Sequence, residues 1–127
     1  MNDILKALRS EKMGKERFTV DRVVFTRQYG HLDQDRSSYR VSGCVQEATP
    51  EQAKLAFGEY QGRKILRIFA PFQFTAGEEL GPGPSYLGAD RIHRGGQTYR
   101  VLKTRHWRKY GFSEAWAEEM EQEPEDD

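Results

Sequence analysis

The sequence predicts a mainly β domain: a small antiparallel β-barrel or sandwich with short peripheral helices and one long irregular loop. Three observations carry that expectation. β-Branched and aromatic residues gather in short runs, at Phe18–Arg27, Tyr39–Val45 and Arg63–Ala70. Gly95-Gly96 sits between two further runs, where a two-residue hairpin needs positive φ at both positions. Aromatic residues make up 12% of the chain, with seven Phe, six Tyr and two Trp, a share that suits half-buried pleated surfaces.

Taken in order, residues 1–17 read as a short helix from Asn2 to about Ser10, followed by a charged connector from Glu11 to Arg17. Asn2 or Asp3 can cap that helix, and Ile4, Leu5 and Leu8 share one face. A helix so short is marginal alone and has to dock on something. Residues 18–120 form the domain proper. Phe18–Arg27 is the first strand, with Val20, Val23, Val24 and Phe25, and Gln28–Ser38 reads as a polar loop or wide turn. Tyr39–Val45 alternates as a second strand, with Tyr39, Val41 and Val45 on one side; Gly43 inside it marks a bulge or a close backbone approach.

Thr49-Pro-Glu-Gln52 is a capping box with proline at the first helical position, so a two-turn helix runs from there to Gly58. Arg63–Ala70 is apolar on both faces, as a strand inside a barrel or sandwich is. Residues 71–89 are irregular, with five Gly or Pro between Gly81 and Gly88. A stretch of that length inside a small domain tends to be functional or mobile. Arg91–Arg94 and Gln97–Trp107 form the glycine-turn hairpin. Phe112, Ala115, Trp116 and Met120 fall at helical spacing behind Ser113, which predicts a third short helix. The sum is about five strands and three helices. Residues 121–127 read as an acidic disordered tail.

At 127 residues, 36% hydrophobic and 31% charged, the chain supports one domain with a thin core, leaving surface for a partner or another copy of itself. Cys44 is the single cysteine, which excludes an intrachain disulfide and a cysteine-based metal cluster; it reads as a small buried strand residue. No apolar run approaches the ~20 residues of a membrane helix, and no hydrophobic signal core opens the chain, so no membrane role and a cytosol-like compartment are expected.

Residue types with catalytic potential are present without catalytic spacing. His31, His93 and His106 form no metal-binding spacing, although His93 and His106 can face each other across the hairpin. The serines lack a nucleophile-elbow context, and no phosphate-binding loop occurs. Asp33/Asp35 and Glu78/Glu79 are paired acids in loops with nothing nearby to separate their pKa values. No catalytic residue, metal site or cofactor is expected, and a hydrolase with an unrecognised site is the weakest of the readings.

Charge is the sharper signal. A formal net charge of zero conceals seven Lys/Arg and no acid from Arg91 to Lys109, then eight Asp/Glu and no base from Ser113 to Asp127. Arg91, Arg94, Arg100, Lys103, Arg105 and Arg108, interleaved with Tyr99, Trp107 and Tyr110, fit either of two roles. One is a stacking and phosphate-contacting nucleic-acid surface. The other is a hairpin whose charge another subunit, or the acidic tail, complements. Trp116 reads as a core or docking residue.

Several segments in succession resemble the neck proteins of tailed bacteriophages: Gly43–Gln52, Glu59–Phe69, Asp90-Arg-Ile, Gly96–Val101 and Trp107–Phe112. More narrowly, they resemble the small head-closure (stopper) and head–tail connector family. The resemblance spans roughly Tyr39–Trp116, and its motifs are structural. It implies a virion protein assembled in the host cytoplasm: a β-barrel subunit of a ring, hexameric or dodecameric, beneath the portal. Such a ring closes the DNA-filled head and offers the tail its attachment surface.

The resemblance also implies partners: copies of the same chain, a portal or adaptor protein, tail terminator or tail tube proteins, and packaged double-stranded DNA in the channel. Under it, the candidate channel or inter-subunit loop is Phe72, Phe74, Gly77, Glu78, Glu79, Gly81, Gly83, Tyr86 and Gly88. The candidate docking residues are Ile4, Leu5, Leu8, Trp107 and Trp116. A tail-completion or tail-terminator protein and a small nucleic-acid-binding barrel are the alternatives.

Overall fold

A computed structural model describes residues 15–58, 62–79 and 84–121. Eight strands form one antiparallel sheet: β1 (Lys15–Gln28), β2 (His31–Glu47), β3 (Ile65–Ala70), β4 (Glu78–Glu79), β5 (Ser85–Leu87), β6 (Arg91–Arg94), β7 (Gln97–Trp107) and β8 (Phe112–Glu119). The helix α1 (Pro50–Phe57) joins β2 to β3, and a 3-10 turn (Arg108–Tyr110) joins β7 to β8. The order is β2-β3-β8-β7-β6-β1-β5-β4, and β1 also pairs with β2. Six strands therefore curl into a ring, β1-β2-β3-β8-β7-β6, with β1 completing the circuit. The chain is mainly β and antiparallel, as its pattern predicts.

The ring interior is the core. Phe18 and Val20 of β1, Val41 of β2, Leu66, Ile68 and Ala70 of β3, Ile92 of β6, Tyr99 and Val101 of β7, and Ala115 and Ala117 of β8 pack there. Completely buried aliphatics of this kind each contribute roughly 1.5–3 kcal/mol relative to exposure. Gly43 permits the close approach of β2 to β3: a Cβ at that position would lie 2.7 Å from the Ala70 Cβ and against the Phe69 carbonyl.

Local signals are realised where they are strongest. Thr49 Oγ1 accepts from the Gln52 N–H at 3.1 Å, and Gln52 Oε1 accepts from the Thr49 N–H at 3.0 Å. Gly58, with φ 79°, closes the helix through an N–H···O bond of 2.7 Å to Lys54. Gly95 and Gly96, at φ 58° and 80°, make the two-residue turn of the β6–β7 hairpin.

Four expectations are corrected. The connector ends earlier than Arg17, because Lys15–Arg17 already pairs with Ser42–Cys44 in β1–β2. Gln28–Ser38 is not a loop: Tyr29-Gly30 is a tight turn, and the hairpin pairs without interruption from Gln28↔His31 back to Lys15↔Cys44. Phe112–Met120 is not a helix: Phe112–Glu119 is β8, hydrogen-bonded to β3 on one side and β7 on the other. Alanines 115 and 117 face the core, where small side chains let a strand lie between two neighbours, and pairing on both edges outweighs local helix propensity.

Segment 71–89 is irregular only in part. It holds β4 and β5, and Phe74 enters the core at 1% exposure. The expected count of about five strands and three helices thus becomes eight strands and one α-helix among the described residues. The N-terminal helix with Ile4, Leu5 and Leu8, and the tail beyond Glu121, lie outside the described residues.

Candidate assembly surfaces

The ring uses only part of the β1–β2 hairpin. β3 pairs with β2 at Cys44–Glu47, and β6 pairs with β1 at Thr19–Asp21. Beyond those contacts the hairpin continues as an arm, Arg22–Gln28 against His31–Ser37. β5 lies along the β1 side of the arm: Phe25 stacks on Tyr86 at 5.0 Å, Thr26 Oγ1 meets Ser85 Oγ at 3.0 Å, and the Arg27 N–H donates to the Pro84 carbonyl at 3.2 Å. The outer edge of β2 from His31 to Gly43 carries no strand among the described residues. Every residue from His31 to Arg40 is exposed.

At the arm's tip Tyr29 is 98% exposed and holds φ 50°, a region bulky side chains avoid. Sequence reasoning read the β1 half of the arm within Phe18–Arg27 and missed the β2 half, because His31–Arg40 is exposed on both faces, which removes the apolar alternation that marks a strand. The Tyr29-Gly30 pair at the end of an apolar run was the signal available for a tight turn.

The candidate loop is fastened to this scaffold. Arg22 donates through Nε and Nη2 to the two carboxylate oxygens of Asp90 at 3.1 and 2.9 Å, and through Nη2 to the Gln73 carbonyl at 2.6 Å. Asp90 is fully buried and also accepts from the Thr75 N–H at 2.8 Å. The bonds and charge of Asp90 outweigh partial burial and raise the Arg22 pKa.

Phe72 is half-buried, edge-on to Phe74 at 5.1 Å, tilted against Tyr39 at 5.4 Å, and capped by the Arg22 guanidinium at 5.0 Å. Gly77, at φ 108°, donates its N–H to Thr75 Oγ1 at 3.1 Å. Glu78 and Glu79 form β4, opposite Leu87 and Tyr86 of β5, so this acid pair sits in a strand and not a loop. The Gly88 N–H donates to the Val23 carbonyl at 2.9 Å, and a Cβ there would lie 2.7 Å from the Phe25 ring. Gly81 and Gly83 lie outside the described residues. Phe74 is thus a core residue, while Glu78 stays exposed.

The basic hairpin loses most of its linear charge asymmetry on folding. Register places Arg91 beside Asp21 on one side and Arg100 on the other, and Arg100 beside Glu118. Across the sheet the order is acid, base, base, acid. Arg94 bonds Glu16 at 3.0 Å, Arg105 stands opposite Glu114, and the Arg105 guanidinium covers the Trp107 ring at 4.2 Å. Arg108 lies in the 3-10 turn.

His93 and His106 do not meet. His93 bonds Asp21 at 2.7 Å and Thr98 at 3.0 Å, whereas His106 bonds Ser113 at 2.7 Å. Asp21 also accepts from Ser38 at 2.5 Å. Burial pushes the Asp21 carboxyl up, but the Ser38 and His93 hydrogen bonds and the charges of His93 and Arg36 hold it below the ordinary range. This group ties β1, β2, β6 and β7 together at the surface. Asp33 and Asp35, expected in a loop, lie on the exposed arm. Cys44 is buried with Phe69 and Phe112, and burial raises its thiol pKa, so it is not an activated nucleophile.

A groove of about 350 Å³ runs between α1 and the outer face of β3, β8 and β7. Gln52, Leu55 and Ala56 of α1 form one wall; Arg67, Trp116, Glu114, Lys103 and Arg105 form the rest. Trp116 is 8% exposed, edge-on to Phe57 at 5.8 Å, so this docking candidate is the support on which α1 rests. Trp107 stacks at 6.1 Å on Phe112, in a separate outer cluster with Phe69 and Cys44. Among the described residues no group of three or more His, Cys, Asp or Glu could hold a metal, and no helix is long and apolar enough to cross a membrane. No protein-family model and no curated protein matches this chain.

Proposed function

We propose that this protein is a structural assembly subunit, one of a closed ring in the neck of a tailed phage, closing the filled head and presenting a surface for the tail. The observation that carries the assembly part of the reading is the β1–β2 arm. It extends beyond the ring with an unpaired outer edge, and its tip residue, Tyr29, is 98% exposed at φ 50°. A long unpaired edge is a liability for a free monomer and a ready interface for an oligomer. Asparagine or glycine would fit the turn at lower cost. Keeping a tyrosine there makes sense if its ring is needed outside the subunit. The phage-neck part rests on the segments in Tyr39–Trp116 that resemble that family.

Within this reading, Glu78 and the other exposed residues of the fastened loop face a channel or a neighbour, and the arm reaches an adjacent subunit. The test is electron microscopy and native mass spectrometry of the purified chain, alone and mixed with the head and tail proteins encoded beside it. Rings of defined stoichiometry on a portal or tail end are expected. A chain that stays monomeric in every mixture would overturn the proposal.

A second reading, single-stranded nucleic-acid binding, draws on the exposed Arg91 and Arg100, which stand directly opposite each other. Tight oligonucleotide binding that falls steeply with salt and disappears in Arg100→Ala and Arg105→Ala would favour it.

A further inference from the structure

The groove under α1 carries more positive charge than its surroundings satisfy. Glu114, 6% exposed, is already committed: one oxygen accepts from Trp116 Nε1 at 2.7 Å and the other from Arg67 Nη2 at 3.1 Å. Arg67 lies between the Phe69 and Trp116 rings, 4.8 and 5.2 Å from their centroids, and its buried Nε has no hydrogen-bond partner among the described residues. Lys103 and Arg105 are exposed, and neither is bonded to a carboxylate among those residues. Lys103 makes one long contact, 3.4 Å, to the Ala56 carbonyl. On the opposite wall Leu55 is 89% exposed. The groove therefore offers two cations not bonded to a carboxylate among the described residues, an arginine edge and an apolar rim.

We infer that this groove receives the acidic C-terminal segment, residues 120–127, of a second copy of the chain. That segment reads Met-Glu-Gln-Glu-Pro-Glu-Asp-Asp; beyond Glu121, which lies 4.0 Å from Arg63 of its own chain, it has four acidic residues to meet Lys103 and Arg105 and a proline that disfavours helix.

Reach selects the second copy. Met120 continues β8 through its N–H to the Thr98 carbonyl, at the end of the strand opposite Glu114. Glu121 lies 4.0 Å from the Arg63 guanidinium, so the tail leaves the sheet beyond it. Trp116, which pairs with Lys103, is five strand steps back from Glu121, roughly 17 Å, and Glu114, opposite Arg105, is seven steps back, roughly 23 Å. The six residues after Glu121 span at most about 21 Å, so in its own groove the chain could bring only its last residue or two to Lys103 and none to Arg105. A neighbour can deliver the whole segment. The inference rests on the ring-subunit reading and supplies that ring with a head-to-tail contact.

The experiment titrates a fluorescent peptide of residues 120–127 into the full chain by anisotropy and follows self-association by sedimentation velocity. Saturable peptide binding is expected, weakening at least tenfold between 50 and 300 mM NaCl. It should be lost in Lys103→Glu/Arg105→Glu and regained by that variant with a peptide carrying lysine at its glutamate positions. Self-association should fall in parallel when excess peptide is added.

Four outcomes would overturn the inference. One is a peptide that neither binds nor affects association. Another is binding seen only after the chain's own tail acids are changed to glutamine, with no dependence on concentration, which would place the segment in its own groove. The third is a dT12 oligonucleotide that takes the groove while the peptide does not. Rings that persist in microscopy after tail neutralisation would refute this contact and leave the ring reading standing.

Discussion

Arg22 and Asp90, sixty-eight residues apart, form the bidentate ion pair that fastens the 71–90 segment to the first strand. Each partner is positioned by something else. The Arg22 guanidinium lies over the Phe72 and Tyr39 rings at 5.0 and 5.9 Å, and the Asp90 backbone bonds Thr75 and Val101. A segment that looks like a detachable loop is therefore part of the fold, with Phe74 as its core anchor. Deleting Phe72–Gly88 would take Phe74 out of the core and open the ring interior.

Asp90→Asn keeps the shape of the side chain but turns one acceptor into a donor facing Arg22 Nε or the Thr75 N–H. A loss of about 2–4 kcal/mol is expected in urea unfolding, at the lower end for a buried pair because the Arg22 side chain is 22% exposed. In hydrogen exchange the Thr75 amide should lose protection before the core strands do. A change under about 0.5 kcal/mol would show that the pair is not what holds the segment.

Gly43→Ala places a methyl group against the Phe69 carbonyl and the Ala70 Cβ, both on a core strand that cannot yield without moving Ile68. Overpacking of this kind costs roughly 1–3 kcal/mol. Chemical denaturation should show that loss with an unchanged slope. An unaffected midpoint would mean that β2 and β3 separate easily.

What each segment buries decides how legible it is in the sequence. Thr49, Gln52, Gly58, Gly95 and Gly96 act through local backbone geometry, so their helix and hairpin can be read directly. Tyr39, Val41 and Val45 alternate because one face is wet. β8 reads as a helix because Phe112, Ala115, Trp116 and Met120 fall at helical spacing behind Ser113, and its two-sided pairing is a long-range property that no local pattern carries. The β2 half of the arm is hidden for the opposite reason: from His31 to Arg40 every residue is exposed. The run of basic residues before acidic ones looks like two poles, but antiparallel register sets Arg105 opposite Glu114 and Arg100 opposite Glu118. The α1 groove draws on four separated segments, which makes it a product of topology.

Asp21 links the fold to pH. Its folded pKa lies below the ordinary aspartate value of 3.8, so the folded state binds fewer protons than the unfolded chain in that range. The stability it contributes is present above about pH 4 and is lost as pH falls through the folded value. Unfolding midpoints from pH 7 to 3 should drop more steeply for the parent chain than for Asp21→Asn, with the difference confined to the acid limb. Parallel curves would remove Asp21 from acid stability.

Tyr29 sets stability against assembly. At φ 50° its side chain crowds the backbone, and with Gly30 at φ 78° it forms a turn that asparagine fills at lower cost. Because the ring is 98% exposed, its removal takes away no contact within the subunit. Tyr29→Asn should therefore leave the monomer equally stable or more stable by about 0.5–1 kcal/mol. If the tip meets a neighbouring subunit, the same change should weaken self-association or ring formation at least tenfold, since buried aromatics dominate interface energetics. Tyr29→Phe, which keeps both ring and strain, should retain most of the association. Sedimentation velocity beside thermal unfolding separates these effects. A Tyr29→Asn variant that is stabilised and still assembles like the parent would detach the arm's tip from assembly, leaving the edge of β2 as the surface to explain.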